Sequence, residues 1–181
     1  MKHKYLVVSS LLALTGLMGF MVFGRGDGST PNIPTDIPMN AYTPEQPIPY
    51  SHKLHAGDLQ IDCNFCHTYA RRSRAAGIPA VEQCMACHQL IATTKEPIQK
   101  MAKAFERKDP IEWVKVHDLP DFVFFSHKRH VQHFECQECH GPVETMEVVH
   151  RQAPLTMGWC ITCHQDNRDK GASLDCLTCH K

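Results

Sequence analysis

The sequence has no net charge: 19 Lys and Arg residues balance 19 Asp and Glu. That removes any global electrostatic case for a nucleic-acid or acidic partner. No cysteine stands alone either, since all ten fall in C-x-x-C pairs. No βαβ pattern surrounds any pair, so a thioredoxin-like redox motif has no scaffold. Outside one stretch there is little clean hydrophobic periodicity, which predicts few long regular elements and little sheet. The 181 residues allow one modest domain.

What is present is a rule about the residue after each pair. The pairs are Cys63–Cys66, Cys84–Cys87, Cys136–Cys139, Cys160–Cys163 and Cys176–Cys179, and His67, His88, His140, His164 and His180 follow them directly. C-x-x-C-H is the attachment signal for c-type haem. On a helical turn, residues i, i+3 and i+4 share one face. Two sulfurs can then bond the two vinyl groups of one haem while the imidazole reaches its iron from the same side. A disulfide framework predicts no rule about the next residue. Zinc ribbons explain paired C-x-x-C but neither the obligatory His nor an odd number of pairs. The sequence therefore implies five covalently bound haem c groups.

The N-terminus reads Met1-Lys2-His3-Lys4 and then an uncharged run from Tyr5 to Phe23, 19 residues long. At about 1.5 Å per residue, such a run nearly crosses a ~30 Å hydrocarbon core. Secretory h-regions are shorter and end in small residues. Here Met18, Phe20, Met21, Val22 and Phe23 stand instead, and no cysteine follows that could take a lipid. An uncleaved signal anchor over 1–25 is expected, with Lys2 and Lys4 in the cytoplasm and the haem domain on the periplasmic side. His3 is then on the wrong side to meet haem. Residues 26–50 hold prolines 31, 34, 38, 44, 47 and 49, half of the chain's twelve. This reads as an extended spacer, either a plain linker or a segment lying along a partner.

The remainder, 51–181, repeats itself. "YSHKLHAGDLQIDCNFCH" (50–67) and "FSHKRHVQHFECQECHG" (125–141) both open with aromatic-Ser-His-Lys and lead into a haem motif. Two two-haem modules result, 51–90 and 124–165, with a fifth haem at 176–180. Between them Ile98, Met101, Ala102 and Phe105 recur at helical spacing after Pro97, predicting an amphipathic helix to about Lys108, ended by Asp109-Pro110. Roughly 130 residues must cover five haems. The expected fold is mostly α with long loops, a transmembrane helix preceding a domain whose core is largely porphyrin.

Each motif supplies one axial ligand, so five more are needed for irons that move electrons without binding substrate. Seven histidines remain beyond the motifs and His3: His52, His55, His117, His127, His130, His133 and His150. Supply exceeds need, which favours mostly bis-His irons and argues against an open catalytic one. His127 and His130 lie three apart and should serve different irons, as should His52 and His55. The fifth distal ligand is left open between His117, His150, His133, Met146 and Met157; a Met ligand would raise its haem's potential. Arg71, Arg72 and Arg74 either pair with propionates or form a solvated turn.

These units resemble class III multihaem cytochromes c. The resemblance implies that His52 pairs with His67 and His127 with His140, while His55 and His130 serve other irons. The longer signature "WVKVHDLPDFVFFSHKRHV…CQECHGPVETMEVV…LTMGWCITCH", with five haem motifs and an anchor, is similar to the pentahaem cytochrome c subunits of alternative complex III, a quinol:electron-acceptor oxidoreductase. That resemblance implies an electron conductor with no catalytic site of its own. It would receive electrons through an iron–sulfur subunit, beside integral membrane subunits, and pass them to a monohaem cytochrome c or a terminal oxidase. The alternative is a quinol dehydrogenase cytochrome feeding a periplasmic nitrate- or nitrite-type reductase. In that type a Met ligand typically follows the first haem motif closely; here Thr68-Tyr69-Ala70 follows His67.

Overall fold

The computed structural model describes residues 41–181. The expected anchor over 1–25 and residues 26–40 of the spacer lie outside the described residues. Among the described residues, no helix is long and apolar enough to cross a membrane.

Seven α-helical segments are present among the described residues: α1 Cys63–Cys66, α2 Val81–His88, α3 Glu96–Arg107, α4 His127–His130, α5 Gln137–His140, α6 Met157–Asp166 and α7 Cys176–Cys179. A π-helical turn, Lys53–Asp58, precedes α1, and short 3-10 turns occur at Val143–Thr145 and Arg168–Lys170. No strand ladder forms among these residues; one antiparallel bridge joins Val123 to His180. The predominance of short helices and loops agrees with the sequence expectation.

The longest element, α3, has the physics its sequence announces. Glu96 and Pro97 sit in the first turn, where Pro loses no intrahelical hydrogen bond and the carboxylate meets the positive helix end. Lys108, in the left-handed conformation (φ 58°), ends it. Its buried face, led by Met101, packs on Val81 and Met85 of α2 and on Ile48, with Ile98, Ala102, Phe105, Ile111 and Trp113 half-buried around them.

Ile48 marks a difference from the expected linker. Residues 41–50 are extended but packed. Gln46 makes two hydrogen bonds to the Val114 backbone (2.9 and 3.0 Å), Lys100 Nζ donates to the Pro47 carbonyl (2.6 Å), and the Arg151 N–H donates to the Tyr42 carbonyl (3.1 Å). The haem domain's fold thus begins before residue 51. Proline richness predicted the extended backbone, but the apolar slot that receives Ile48 exists only once α2 meets α3.

Conventional core ends there. Beyond that cluster, the buried apolar side chains are Ala70, Val116, Met146 and Ala153, and among the described residues no side chain is completely enclosed. Large apolar residues beside the motifs stay exposed, including Phe65, Tyr69, Leu90, Ile91 and Leu177. A chain of this size normally encloses several side chains fully. Side-chain burial alone therefore supplies little core to the motif-bearing segments.

The two modules meet along backbone contacts. Lys53 N donates to the Met146 carbonyl (2.9 Å), and a Cβ at Gly57 would collide with the Glu144 carbonyl. His127 N and Lys128 N donate to the carbonyls of Arg74 (3.0 Å) and Ser73 (2.9 Å). The chain end is held by Phe124 N on the Cys179 carbonyl (2.6 Å).

Candidate haem-binding site

All five C-x-x-C-H motifs fold as helical turns, which places both sulfurs and the following imidazole on one side. Outside the longer helices α2 and α6, the histidine N–H closes the turn on the first cysteine's carbonyl: His67 on Cys63 (2.8 Å), His140 on Cys136 (3.0 Å) and His180 on Cys176 (2.9 Å). Asp62 and Asp175 cap α1 and α7 through the N–H of Asn64 (2.7 Å) and Leu177 (3.2 Å). Thr156 caps α6 at Trp159 (3.3 Å). All ten cysteines are free thiols, and among the described residues no group of three or more His, Cys, Asp or Glu converges on a single metal point.

The imidazoles face each other in pairs. His52 and His67 have ring centres 6.5 Å apart and planes within 6°; His127 and His140 stand at 6.3 Å and 7°. His55 stands opposite His88 at 6.1 Å with the rings turned by 62°, and His130 opposite His164 at 6.1 Å and 34°. A metal-bound imidazole nitrogen lies about 2 Å from its metal and the ring centre about 1 Å further back, so two rings across one iron have centres roughly 6 Å apart. Four pairs match that gap. Direct stacks here are closer for Tyr50 on His55 (4.5 Å) and Phe125 on His130 (4.3 Å), and wider for Phe122 on His180 (5.9 Å), so the gap counts together with the Nδ1 partners below. The pairs 52/67 and 127/140 are those the resemblance implies. The rings that stand opposite His55 and His130, open in the sequence, are His88 and His164.

The other ring nitrogen of most paired imidazoles is held by a backbone carbonyl. Nδ1 meets the carbonyl of Ser51 for His55 (2.9 Å), Gly77 for His67 (2.6 Å) and Ile91 for His88 (3.1 Å). It meets Arg74 for His127 (2.7 Å), Ser126 for His130 (2.8 Å) and Ser173 for His164 (2.6 Å). A carbonyl accepts only, so Nδ1 carries the proton and Nε2 keeps its lone pair for a metal. Burial, reinforced by neighbouring histidines, pushes His52 down to about 4 and His140 to about 3, which keeps both neutral at physiological pH. These carbonyl partners were not legible in the sequence, because a backbone acceptor carries no residue-type signal.

The remaining candidates are placed less uniformly. His117 stands edge-on to His140 at 4.3 Å and 78°, too close for an iron between them, and its Nε2 is buried without a partner. Burial, with Arg151, His127 and His150 nearby, pushes it down to about 4. Phe122 stacks on the His180 ring at 5.9 Å. His133 is exposed, with its ring 6.4 Å from Phe134. Met146 is buried where the π-helical turn meets the second module, whereas Met157 lies 66% exposed at the start of α6. Arg74 caps the Phe124 ring at 3.3 Å and Lys181 approaches the same ring at 4.7 Å.

Residues 31–121 match the class III cytochrome C family, and residues 123–181 match cytochrome c7 and related cytochrome c. The chain belongs to the class III-type multihaem cytochromes c. A protein of Nitratidesulfovibrio vulgaris (strain Hildenborough), the multihaem cytochrome c subunit of menaquinone reductase, is 30% identical to this cytochrome over 162 residues, covering 76% of this chain and 77% of its own. The geometry fits the family's cofactor in three independent ways: motif turns, ring gaps and carbonyl-held imidazoles. When bound, haem c supplies a one-electron iron couple whose potential is set by its axial ligands. In this cytochrome, Cys63, Cys66, Cys84, Cys87, Cys136, Cys139, Cys160, Cys163, Cys176 and Cys179 would hold the groups, with His67, His88, His140, His164 and His180 beneath them. The scarcity of buried side chains is consistent with a core that haem would complete.

Proposed function

We propose that this cytochrome is the five-haem electron conductor of a quinol-oxidising membrane complex of the alternative complex III type. It would be held on the outer face of the cytoplasmic membrane by its N-terminal segment. The observation that carries the reading is the set of four facing imidazole pairs, with six paired rings held at Nδ1. Irons closed on both faces by protein ligands exchange electrons without binding substrate. Distal ligands on the HxxH segments hold neighbouring groups a few residues apart, which favours fast hopping between them. The iron–sulfur donor, the integral membrane subunits and the monohaem cytochrome c or terminal oxidase acceptor are part of this proposal and rest on the sequence resemblance.

A second reading has a specific observation behind it. The Nitratidesulfovibrio relative is named as a subunit of menaquinone reductase. In that reading electrons run the other way, from an outer donor into the quinone pool, and the quinol dehydrogenase alternative falls behind both. Purification of the complex in mild detergent from its native membrane, with mass spectrometry of the co-purifying chains, tests the proposal. Iron–sulfur and polytopic subunits, with quinol oxidation coupled to reduction of a soluble cytochrome c, support it. Quinone reduction driven by a reduced outer donor supports the second reading. A chain that travels alone and oxidises quinol itself refutes both.

A further inference from the structure

The five motifs are not arranged in space in the order of the chain. His52 and His55 lie on one helical stretch, yet His52 faces His67 and His55 faces His88. The first and second motifs are therefore neighbours, and the Gln83 amide donating to the Phe65 carbonyl ties them directly. His127 and His130 do the same for the third and fourth motifs, through His140 and His164.

Two further contacts connect these pairs and the remaining motif. The Arg74 carbonyl, on the turn just after the first motif, accepts from Nδ1 of His127 (2.7 Å), the ring opposite the third motif's His140, so the first motif abuts the third. The backbone supports the same junction, with Lys53 on Met146 and His127 on Arg74. At the other side, the Ser173 carbonyl holds His164 Nδ1 (2.6 Å) while the Ser173 hydroxyl bonds Thr178 inside the fifth motif (3.1 Å). The second motif shows none of these links onward. Its helix α2 turns its apolar face to α3 and Ile48 instead.

We propose that the attachment sites form one unbranched row in the order Cys84/Cys87, Cys63/Cys66, Cys136/Cys139, Cys160/Cys163, Cys176/Cys179, with the second and fifth motifs of the sequence at its ends. The crossing between modules runs from the first motif to the third, beside Arg74 and His127. A row has two ends, so the donor and acceptor surfaces of this cytochrome are the flank beside α2 and α3 and the flank beside α7 and Lys181. The inference rests on the five-haem reading above, but not on which complex the chain belongs to.

Proton NMR of the full-length holo-cytochrome in detergent micelles, fully reduced with dithionite, tests the row without any substitution. Each haem is assigned to its motif through contacts to its own cysteines, and inter-haem methyl cross-peaks are then mapped. Cross-peaks are expected for four pairs of motifs: second with first, first with third, third with fourth, and fourth with fifth. Cross-peaks from the second motif's haem to the third or fourth, or from the fifth to the third with none to the fourth, overturn the row. An intact mass short of five haems refutes the five-haem reading instead, so the two failures are distinguishable.

Discussion

Replacing His130 by Met should change one iron and leave the rest of the cytochrome in place. His130 faces His164 at 6.1 Å, and its Nδ1 is fixed by the Ser126 carbonyl at 2.8 Å. The substitution removes one imidazole and one backbone hydrogen bond, the latter worth about 1 kcal/mol net. The covalent bonds through Cys160 and Cys163 and the ligand on the motif side, His164, are untouched, so the full haem complement should remain attached. A thioether favours the reduced iron, so the potential of that single haem should rise. Axial ligand identity spans about 0.8 V across haem proteins, so a rise on the order of 100 mV is a modest fraction of that range. For a one-electron couple that is roughly a 50-fold shift in the oxidised-to-reduced ratio. An optical redox titration should show one component displaced upward, with intact mass unchanged in haem content. His133→Met is the matched control, because the exposed His133 ring faces no other imidazole. A titration of the His130 variant that overlays the parent, or a shift of equal size in the control, would refute the assignment of His130 as a ligand.

Other consequences are equally direct. Met101→Ala empties the centre of the α2–α3 cluster, where Met101 is 6% exposed; half-buried neighbours can relax into the space, so a loss of about 2–3 kcal/mol is expected. For a domain of this size that is about 10 °C in Tm by thermal circular dichroism, and an unchanged Tm would mean that the cluster is not a stabilising core. Gly77→Ala places a side chain at φ 78°, with its Cβ 2.9 Å from Tyr69 Cδ2. Because the Gly77 carbonyl holds His67 Nδ1, the low-spin EPR signal of one haem should change along with a stability loss of about 1 kcal/mol or more. Burial pushes Tyr50 up to about 12, with the Cys66 and Cys84 thiols adding to it until they are consumed as thioethers. The unfolded phenol ionises near 10, so stability should be flat below that and fall as pH rises from about 10 to about 12. Tyr50→Phe should remove this fall, and a variant with the parent's alkaline profile would contradict the burial argument. Full-length chain should stay with membranes through high salt and carbonate, and release into the soluble fraction would refute the anchor.

The sequence by itself determined the covalent chemistry of this cytochrome, because that chemistry is local. C-x-x-C-H needs only one helical turn to aim two sulfurs and an imidazole at one haem, and residues three or four apart share a face whatever surrounds them. Helix α3 was legible for the same reason, from Ile98, Met101, Ala102 and Phe105 in a 3.6-residue period. The proximity of His127 and His130 led to the expectation that they serve two irons, since one iron has a single free face opposite its motif histidine.

Only the tertiary structure decided which imidazoles stand opposite one another. That His55 meets His88 and His130 meets His164 depends on how each module closes on itself, across 33 and 34 residues of chain respectively. The packing of Ile48, the carbonyls of Gly77, Arg74 and Ser173 on Nδ1 atoms, and the place of His117 against His140 likewise come from segments distant in sequence. None of these contacts has a composition signal, because a backbone carbonyl is the same on every residue and an apolar slot exists only after two helices have met. Pattern reading also depends on side chains burying one another in a regular period. Here few side chains bury one another outside the α2–α3 cluster, so much of the chain carries no periodicity to read.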